Sequence, residues 1–571
     1  MTRRVTTPDI NLLLAALLAA LHALGAAGAW ALPAHQHVTS TQASAQAGAQ
    51  DREALSSLRE RIAAHIAQPR FAPAAWGVKI VSLDTGKTIF EHNPQKYFNP
   101  ASNAKLYTAA LALERLGAEH RIKTSVYSVS RPEASGTLRG DLIVYGRGDP
   151  TMAARLNDGD YFKGLEPLVA QIVNAGVRRI EGDLIGDESY FAGPPFGAGW
   201  EWDDLQAYYG AEVSSLTVND NAVDLFVKPG ERVGIPCRIT TGPVTSFVTV
   251  MNRTQTAPKG AESRIIVYRP VGENIIYVSG RLSMDNAGYY GAIAVHNPAG
   301  LFVSLLKEAL DRRGITVTGR TRVIDWKYRE VTPIDLSKLL ELGSVESMPL
   351  GDIVRETLKP SQNLWAQLLL LQVGENSRFG AWFGSVPGSV AADGSLKAAQ
   401  FPPPPRNANE PREGTSEELG VRVLNEFLSR AGVKKGDVLL EEGSGLSRRD
   451  VITPEATVAL LVHMRNSRWS DVYRNALPIA GVDGTLQNRM KGTPAAGNVR
   501  AKTGTLRYVY TLSGYVTTAA GERLAFSIML NNHNAERSDA SGVQTPGASA
   551  TSRDDEDAIA IMLAEFTGRS K

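Results

Sequence analysis

A helical run of apolar residues, opening on a serine and a lysine, constrains this chain more than any other feature. Phe98-Asn99-Pro100-Ala101-Ser102-Asn103-Ala104-Lys105 leads into Leu106, Ala109, Ala110, Leu113 and Leu116, and Gly117 follows where a helix-ending glycine belongs. The spacing predicts a helix entered at Asn99-Pro100. Ser102 then lies near the positive end of the helix dipole, where backbone amides are unpaired, and Lys105, three residues on, shares its face. A serine needs a base before it attacks a carbonyl, and a lysine serves when burial or a neighbouring cation keeps it neutral. An ordinary buried helix with a polar start has the same pattern, so the pair alone does not decide.

Composition removes several classes. One cysteine, Cys237, in 571 residues excludes an intrachain disulfide and a thiolate cluster. The nine histidines fall in no ligand spacing, so no metal or other cofactor is expected. A net charge of +2 gives no reason to expect a nucleic-acid partner. Arg3 and Arg4, the apolar run from Leu12 to Leu21, and Ala29-Trp30-Ala31 have the order of a cleaved export signal, taken as residues 1–31. No later stretch is long and apolar enough to span a bilayer. A soluble, exported, periplasmic protein is expected, with peripheral membrane association left open.

After a flexible leader (32–50), residues 53–67 read as an amphipathic helix carrying Leu55, Leu58, Ile62 and Ile66. Two short β patterns, 76–83 and 87–90, flank Asp84-Thr85-Gly86 as a hairpin. From 127 to 338 short β patterns dominate, among them 140–145, 180–186 and 223–227, with a nested module expected at 222–282 and a helix at 297–313. A second helical pattern runs from 347 to 373, broken by Pro360. Residues 376–415 are Pro- and Gly-rich and read as an exposed loop. Helices at 416–431 and 454–466 precede strands at 498–503, 508–517 and 523–531, a polar disordered loop at 534–555 and a last helix at 555–566. The organisation expected is one discontinuous domain, 51–126 and 339–571, carrying a large insertion.

Two further polar groups accompany Ser102 and Lys105. Ser361-Gln362-Asn363 follows Pro360 at a helix entry, where a hydroxyl and an amide two apart can both face a cleft; a simple N-cap at Ser361 explains it equally. Lys502-Thr503-Gly504-Thr505 is placed at a strand end. There a lysine charge and two hydroxyls could hold a carboxylate, and Gly504 lets another chain come close; a plain β-turn is the alternative. In order, Ser-x-x-Lys, Ser-x-Asn and Lys-Thr-Gly form the motif set of penicillin-binding proteins and serine β-lactamases.

With 259 positions between Ser102 and Ser361, the chain resembles the class C low-molecular-mass penicillin-binding proteins, the D-alanyl-D-alanine carboxypeptidase/endopeptidase family. Gly146-Arg147-Gly148-Asp149-Pro150-Thr151, Gly199-Trp200-Glu201-Trp202-Asp203-Asp204 and Gly443-Ser444-Gly445-Leu446-Ser447-Arg448 match the family's pattern as well. Glu442 stands where the family often has aspartate, a change expected to matter little. The resemblance implies an α/β (α+β) serine transpeptidase/β-lactamase-like domain, an antiparallel sheet with helices on both faces, carrying the mostly β insertion. It implies Ser102 as nucleophile, Lys105 as base, aided in its neutrality by Lys502, and Ser361 as proton relay to the leaving amine. Asn363 would hold a substrate amide. Lys502, Thr503 and Thr505 would bind a terminal carboxylate. The amides of Ser102 and Thr505 would form an oxyanion hole, and Asp204 with Arg448 would meet the substrate's free ammonium. Partners implied are peptidoglycan peptides and β-lactam antibiotics. A serine β-lactamase and a non-catalytic wall-binding protein are the competing readings. Asp149, before Pro150, reads as a turn former.

Overall fold

The computed structural model describes residues 53–378, 414–534 and 550–570. The expected export segment and leader, and nearly all of the two expected loops, lie outside the described residues. Among the described residues no helix is long and apolar enough to cross a membrane.

A five-stranded antiparallel sheet organises the domain, in the order Arg500–Leu506, Val509–Thr517, Arg523–Asn531, Ala75–Ser82, Thr88–His92. Its inner strands are apolar on both faces, as covered strands must be. Leu524, Phe526, Ile528 and Leu530 join Leu58, Ile62 and Phe566 in a core with the helices Leu55–Ile66 and Ala550–Glu565. Alternate residues Tyr515, Ala525 and Met529 belong instead to the larger core built on the helices Ala104–Leu116, Leu350–Leu358, Asn363–Arg378, Ser416–Arg430 and Pro454–Asn466. The period of two thus sorts the side chains of each of these two strands, Val509–Thr517 and Arg523–Asn531, between two helical layers.

The helix after Ser102 is more central than its stripe suggests. Every residue from Ala104 to Leu113 is buried, so it is a core helix rather than an amphipathic surface one. It ends at Gly117, whose φ of 86° suits a residue without a Cβ. A short helix, Ser470–Ala476, packs beside it, with Tyr473 Oη bonded to the Leu106 carbonyl; its seven residues are too few to show a clear period.

The inserted region carries a five-stranded mixed sheet in the order Thr321–Ile324, Leu184–Asp187, Leu142–Tyr145, Lys123–Ser128, Leu340–Glu346. Two of its strands reach past the boundaries expected at 126/127 and 338/339, because Lys123–Ser128 pairs with Leu340–Glu346 across the neck of the insertion. The single β pattern read at 180–186 is two strands, Arg179–Glu181 and Leu184–Asp187, in different sheets. Gly182 at their junction packs on the Gly140 backbone, where a Cβ would come within 2.3 Å. Helices Glu166–Asn174 and Pro298–Arg312 fill the core of this region. Two three-stranded sheets occupy 222–294, twelve residues beyond the expected end at 282, because Tyr289–Ala294 pairs back onto Ala222–Lys228.

The insertion is tied to the Asn363–Arg378 helix by partly buried polar bonds. Trp365 Nε1 donates to Asp220 Oδ1 (2.7 Å), Gln372 Nε2 to the Arg147 carbonyl (2.9 Å) and Asn363 Nδ2 to the Tyr209 carbonyl (2.8 Å). Three further expectations are corrected. The helix at 363 runs on to Arg378, into the loop expected from 376. The last helix starts at Ala550, inside the expected 534–555 loop. Lys502-Thr503-Gly504-Thr505 lies within the Arg500–Leu506 strand rather than beyond its end, because pairing with Val509–Thr517 continues through Leu506.

Candidate active site

Ser102 sits on the single 3-10 turn Ala101–Asn103 that leads into the Ala104–Leu116 helix. Ala101 is held at a φ of 45°, a costly backbone for alanine, by packing on both sides. Gly445 meets its carbonyl on one side, and Gly504 brings the edge strand against it on the other; an added Cβ at Gly504 would lie 2.7 Å from the Pro100 carbonyl and 3.1 Å from Ala101 Cβ. Asn99 fastens the entry: Oδ1 accepts from Ala101 N (3.0 Å), while Nδ2 donates to the carbonyls of Ser447 (3.3 Å) and Asp450 (3.1 Å).

Lys105 is fully buried. Its Nζ reaches Ser102 Oγ (2.9 Å), Asn363 Oδ1 (2.5 Å) and the Ser444 carbonyl (2.6 Å). An ammonium has three donors and would serve all three acceptors. A neutral amine has two donors and one lone pair; with Asn363 and Ser444 taking the donors, the lone pair faces the serine hydroxyl. Burial pushes Lys105 down to about 7, with Glu442 and Asp450 opposing. Burial therefore does what the sequence reading shared between burial and Lys502. The repulsion between the two lysines is felt at Lys502, which is held well below its ordinary value by burial, Lys105 and Arg489.

Ser361 has a φ of 66° and precedes the helix, which begins at Asn363. Its Oγ accepts from Lys502 Nζ (2.8 Å), so its hydroxyl is turned toward the strand. Lys502 also donates to the Thr503 carbonyl (2.7 Å), and Thr503 Oγ1 donates to Thr485 Oγ1 (2.8 Å). Thr505 is exposed on the same strand. Ser102, Lys105 and Asn363 thus form one bonded group and Ser361 with Lys502 a second, the two brought together from two helix entries and an edge strand closely enough for the lysines to repel. Both amide atoms of Asn363 are engaged within the protein, its oxygen by Lys105 and one N–H by the Tyr209 carbonyl.

Asp204 and Arg448 sit at the rim. The half-buried Asp204 is raised, first by burial and then by Asp203 and Glu201, while a bond from Tyr209 and the charge of Arg448 oppose. Arg448 pairs with Glu201 (3.3 Å) and donates to the Arg507 carbonyl (3.3 Å). Among the described residues, Glu201, Asp203 and Asp204 make the one group whose ligand atoms lie within 4.8 Å of one another; two of the three are exposed, and Arg448 neutralises part of their charge. Asp149, as expected of a turn former, accepts from the amide (2.8 Å) and hydroxyl (2.7 Å) of Thr151.

Sequence reasoning missed the carbonyls of Ser444 and Tyr209 and the buried carboxyls of Glu442 and Asp450. Carbonyls leave no trace in side-chain patterns. Glu442 was noticed only for its identity.

The sequence pattern of the D-Ala-D-Ala carboxypeptidase 3 (S13) family matches residues 58–390 and 407–553. A D-alanyl-D-alanine carboxypeptidase of an Actinomadura species is 33% identical over 530 residues, 90% of this chain and 86% of that protein. D-alanyl-D-alanine carboxypeptidase DacB of Haemophilus influenzae is 25% identical, over 79% and 84%. The crystal structure of penicillin binding protein 4 (dacB) from Haemophilus influenzae superposes with a TM-score of 0.68, covering 89% of this chain and 98% of that one at 23% identity; a complex of the same protein with a β-lactam gives 0.64. The likeness shows a shared fold, insertion included.

Proposed function

Since the chain belongs to the D-Ala-D-Ala carboxypeptidase 3 (S13) family, we propose that it cleaves the terminal D-Ala-D-Ala bond of peptidoglycan stem peptides through an acyl-enzyme on Ser102. One observation supports this reading above the rest: a buried lysine, brought down to about 7, lies 2.9 Å from a serine hydroxyl at a helix entry. Neutral Lys105 takes the Ser102 proton as Oγ attacks the carbonyl, and Asn363 and Ser444 hold the amine in place. Amides of Ser102 and Thr505 are the oxyanion donors in this reading; loss of one such donor typically costs about 10²–10³ in rate. Lys502, Thr503 and Thr505 receive the terminal carboxylate. That anion favours the charged form of Lys502, which burial and Lys105 otherwise oppose. Ser361, its Oγ held by Lys502, relays the proton that Lys105 took on to the leaving amine, so Lys105 returns to its neutral form and Lys502 keeps its charge. Water then releases the shortened peptide. Asp204 and Arg448 bound the substrate side chain, Asp204 toward an ammonium. A β-lactam acylates the same serine, and its leaving group stays attached.

Release of D-alanine from a synthetic peptide ending in D-Ala-D-Ala tests this directly. The base form of Lys105 prevails above its value of about 7, so kcat/KM falls as pH drops through that value, about tenfold per unit below it. A rate that stays level from pH 8 to pH 5 contradicts Lys105 as the base. Rapid penicillin turnover with no peptide cleavage would instead favour a β-lactamase.

A further inference from the structure

Close to Lys105 lies a buried pair of carboxyl groups that the mechanism above does not use. Glu442 is wholly buried, and its carboxylate accepts from three successive amides, Ser444 (2.7 Å), Gly445 and Leu446 (3.0 Å). The turn it grips presents the Ser444 carbonyl to Lys105 Nζ at 2.6 Å. Asp450 is also fully buried; its Oδ1 accepts from Glu441 N (2.9 Å), its carboxyl lies within hydrogen-bond reach of Glu442, and among the described residues no other group donates to its Oδ2. Two buried carboxyls side by side cannot both ionise cheaply. A proton on Asp450 satisfies the orphaned oxygen and leaves one negative charge on the pair.

We propose that Glu442 is a positioning residue for Lys105: it aims the Ser444 carbonyl at the amine and supplies the buried negative charge that balances the ammonium once Lys105 has taken the serine's proton, while Asp450 stays protonated against it. The proposal rests on Lys105 being the base. Burial keeps the lysine neutral before attack, and Glu442 keeps it from becoming too weak a base to take the proton. The Glu442 carboxylate bears on Lys105 in the direction this requires, and Asp450 is held well above the ordinary carboxylate range by burial and by Glu442.

Other charges face this cluster. Lys502, with Arg489 behind it, lies beyond Lys105. Glu441 flanks Asp450 and pairs with Arg449 (3.4 Å). Glu417, from the Ser416–Arg430 helix, accepts from Gln367 Nε2 (2.5 Å) and is pushed up to about 7 by burial and Glu442. Gln367 in turn holds Gly443 N through Oε1 (2.7 Å). Glu417 therefore titrates in the same window as Lys105 and needs its own control.

The test is the pH profile of acylation by a fluorescent penicillin, measured on the full chain. Glu442→Gln removes the charge, so its acid limb moves to lower pH by about one unit or more. Glu442→Asp keeps the charge, so its limb stays within a few tenths of a unit of wild type even where the plateau falls. Asp450→Asn replaces a neutral acid with a neutral amide and moves the limb less than half as far as Glu442→Gln. A purely structural role would lower plateaus and leave every limb in place. The proposal is overturned by an unmoved Glu442→Gln limb, by a Glu417→Gln limb that shows the whole shift, or by an Asp450→Asn limb that drops a full unit. The last result decides even if Glu442→Gln fails to fold. A wild-type profile with no limb near pH 7 would sink Lys105 as the base instead.

Discussion

Lys105→Met abolishes most acylation of Ser102, by about 10²–10⁴-fold, the usual worth of a positioned general base. Methionine fills nearly the same buried volume, so packing in the Ala104–Leu116 helix is kept. What is lost is the lone pair facing Ser102 Oγ at 2.9 Å. The change also strips the donor from Asn363 Oδ1 and the Ser444 carbonyl, and a buried acceptor left unpaired costs about 1–3 kcal/mol. Stability therefore falls as well, and the acylation rate must be taken on protein shown to be folded by urea titration. Raising pH does not rescue the variant, because no other group moves into the place of the amine. Acylation within tenfold of wild type at pH 8 would remove Lys105 from the mechanism.

Gly445→Ala is the second large loss, and it acts through backbone alone. Gly445 has a φ of 77°, and a Cβ there would lie 1.9 Å from the Ala101 carbonyl and 2.9 Å from Ala104 Cβ. Neither neighbour is the end of a flexible side chain. Left-handed backbone costs an alanine about 1–2 kcal/mol, and the clash comes on top. Relief requires Ala101 to move, and Ser102 moves with it. Gly436 provides the control: its φ is 94°, yet nothing lies within 4 Å of an added Cβ. Gly436→Ala should show the backbone cost only, with acylation unchanged. Gly445→Ala should lose more stability than that and at least tenfold in acylation rate, since small misplacements of reacting atoms are expensive. Equal behaviour of the two variants would mean that the Ala101 turn does not depend on Gly445.

The sequence was most legible where chemistry and period coincide. The Ser102 helix, the hairpin at 75–92 and the strand Arg523–Asn531 follow from apolar spacing and turn residues, and the three motifs follow from fixed local offsets. Where it was less legible, the cause is tertiary. The sequence places Lys502 at a strand end, with a plain turn as the alternative, and gives no sign of its burial until pairing with Ser513 draws its strand through the motif. The bonds of Ser361 could not be foreseen, because its hydroxyl serves Lys502 from 141 positions away rather than a local cap. The edge of the insertion was blurred because Lys123–Ser128 and Leu340–Glu346 are far apart in sequence and become one ladder only in the fold. Glu442 illustrates the opposite limit. Its residue type is plain in the sequence, whereas its weight comes from the three amides it binds and the Ser444 carbonyl that their turn presents to Lys105.

Intact-mass analysis of the protein after exposure to a fluorescent penicillin, with Ser102→Ala alongside, tests the account most directly. The account predicts one penicilloyl adduct per chain, stable over the measurement, mapped to the peptide containing Ser102 and absent from the folded Ser102→Ala protein. An adduct that survives in Ser102→Ala, or no adduct on well-folded wild-type protein, would contradict it.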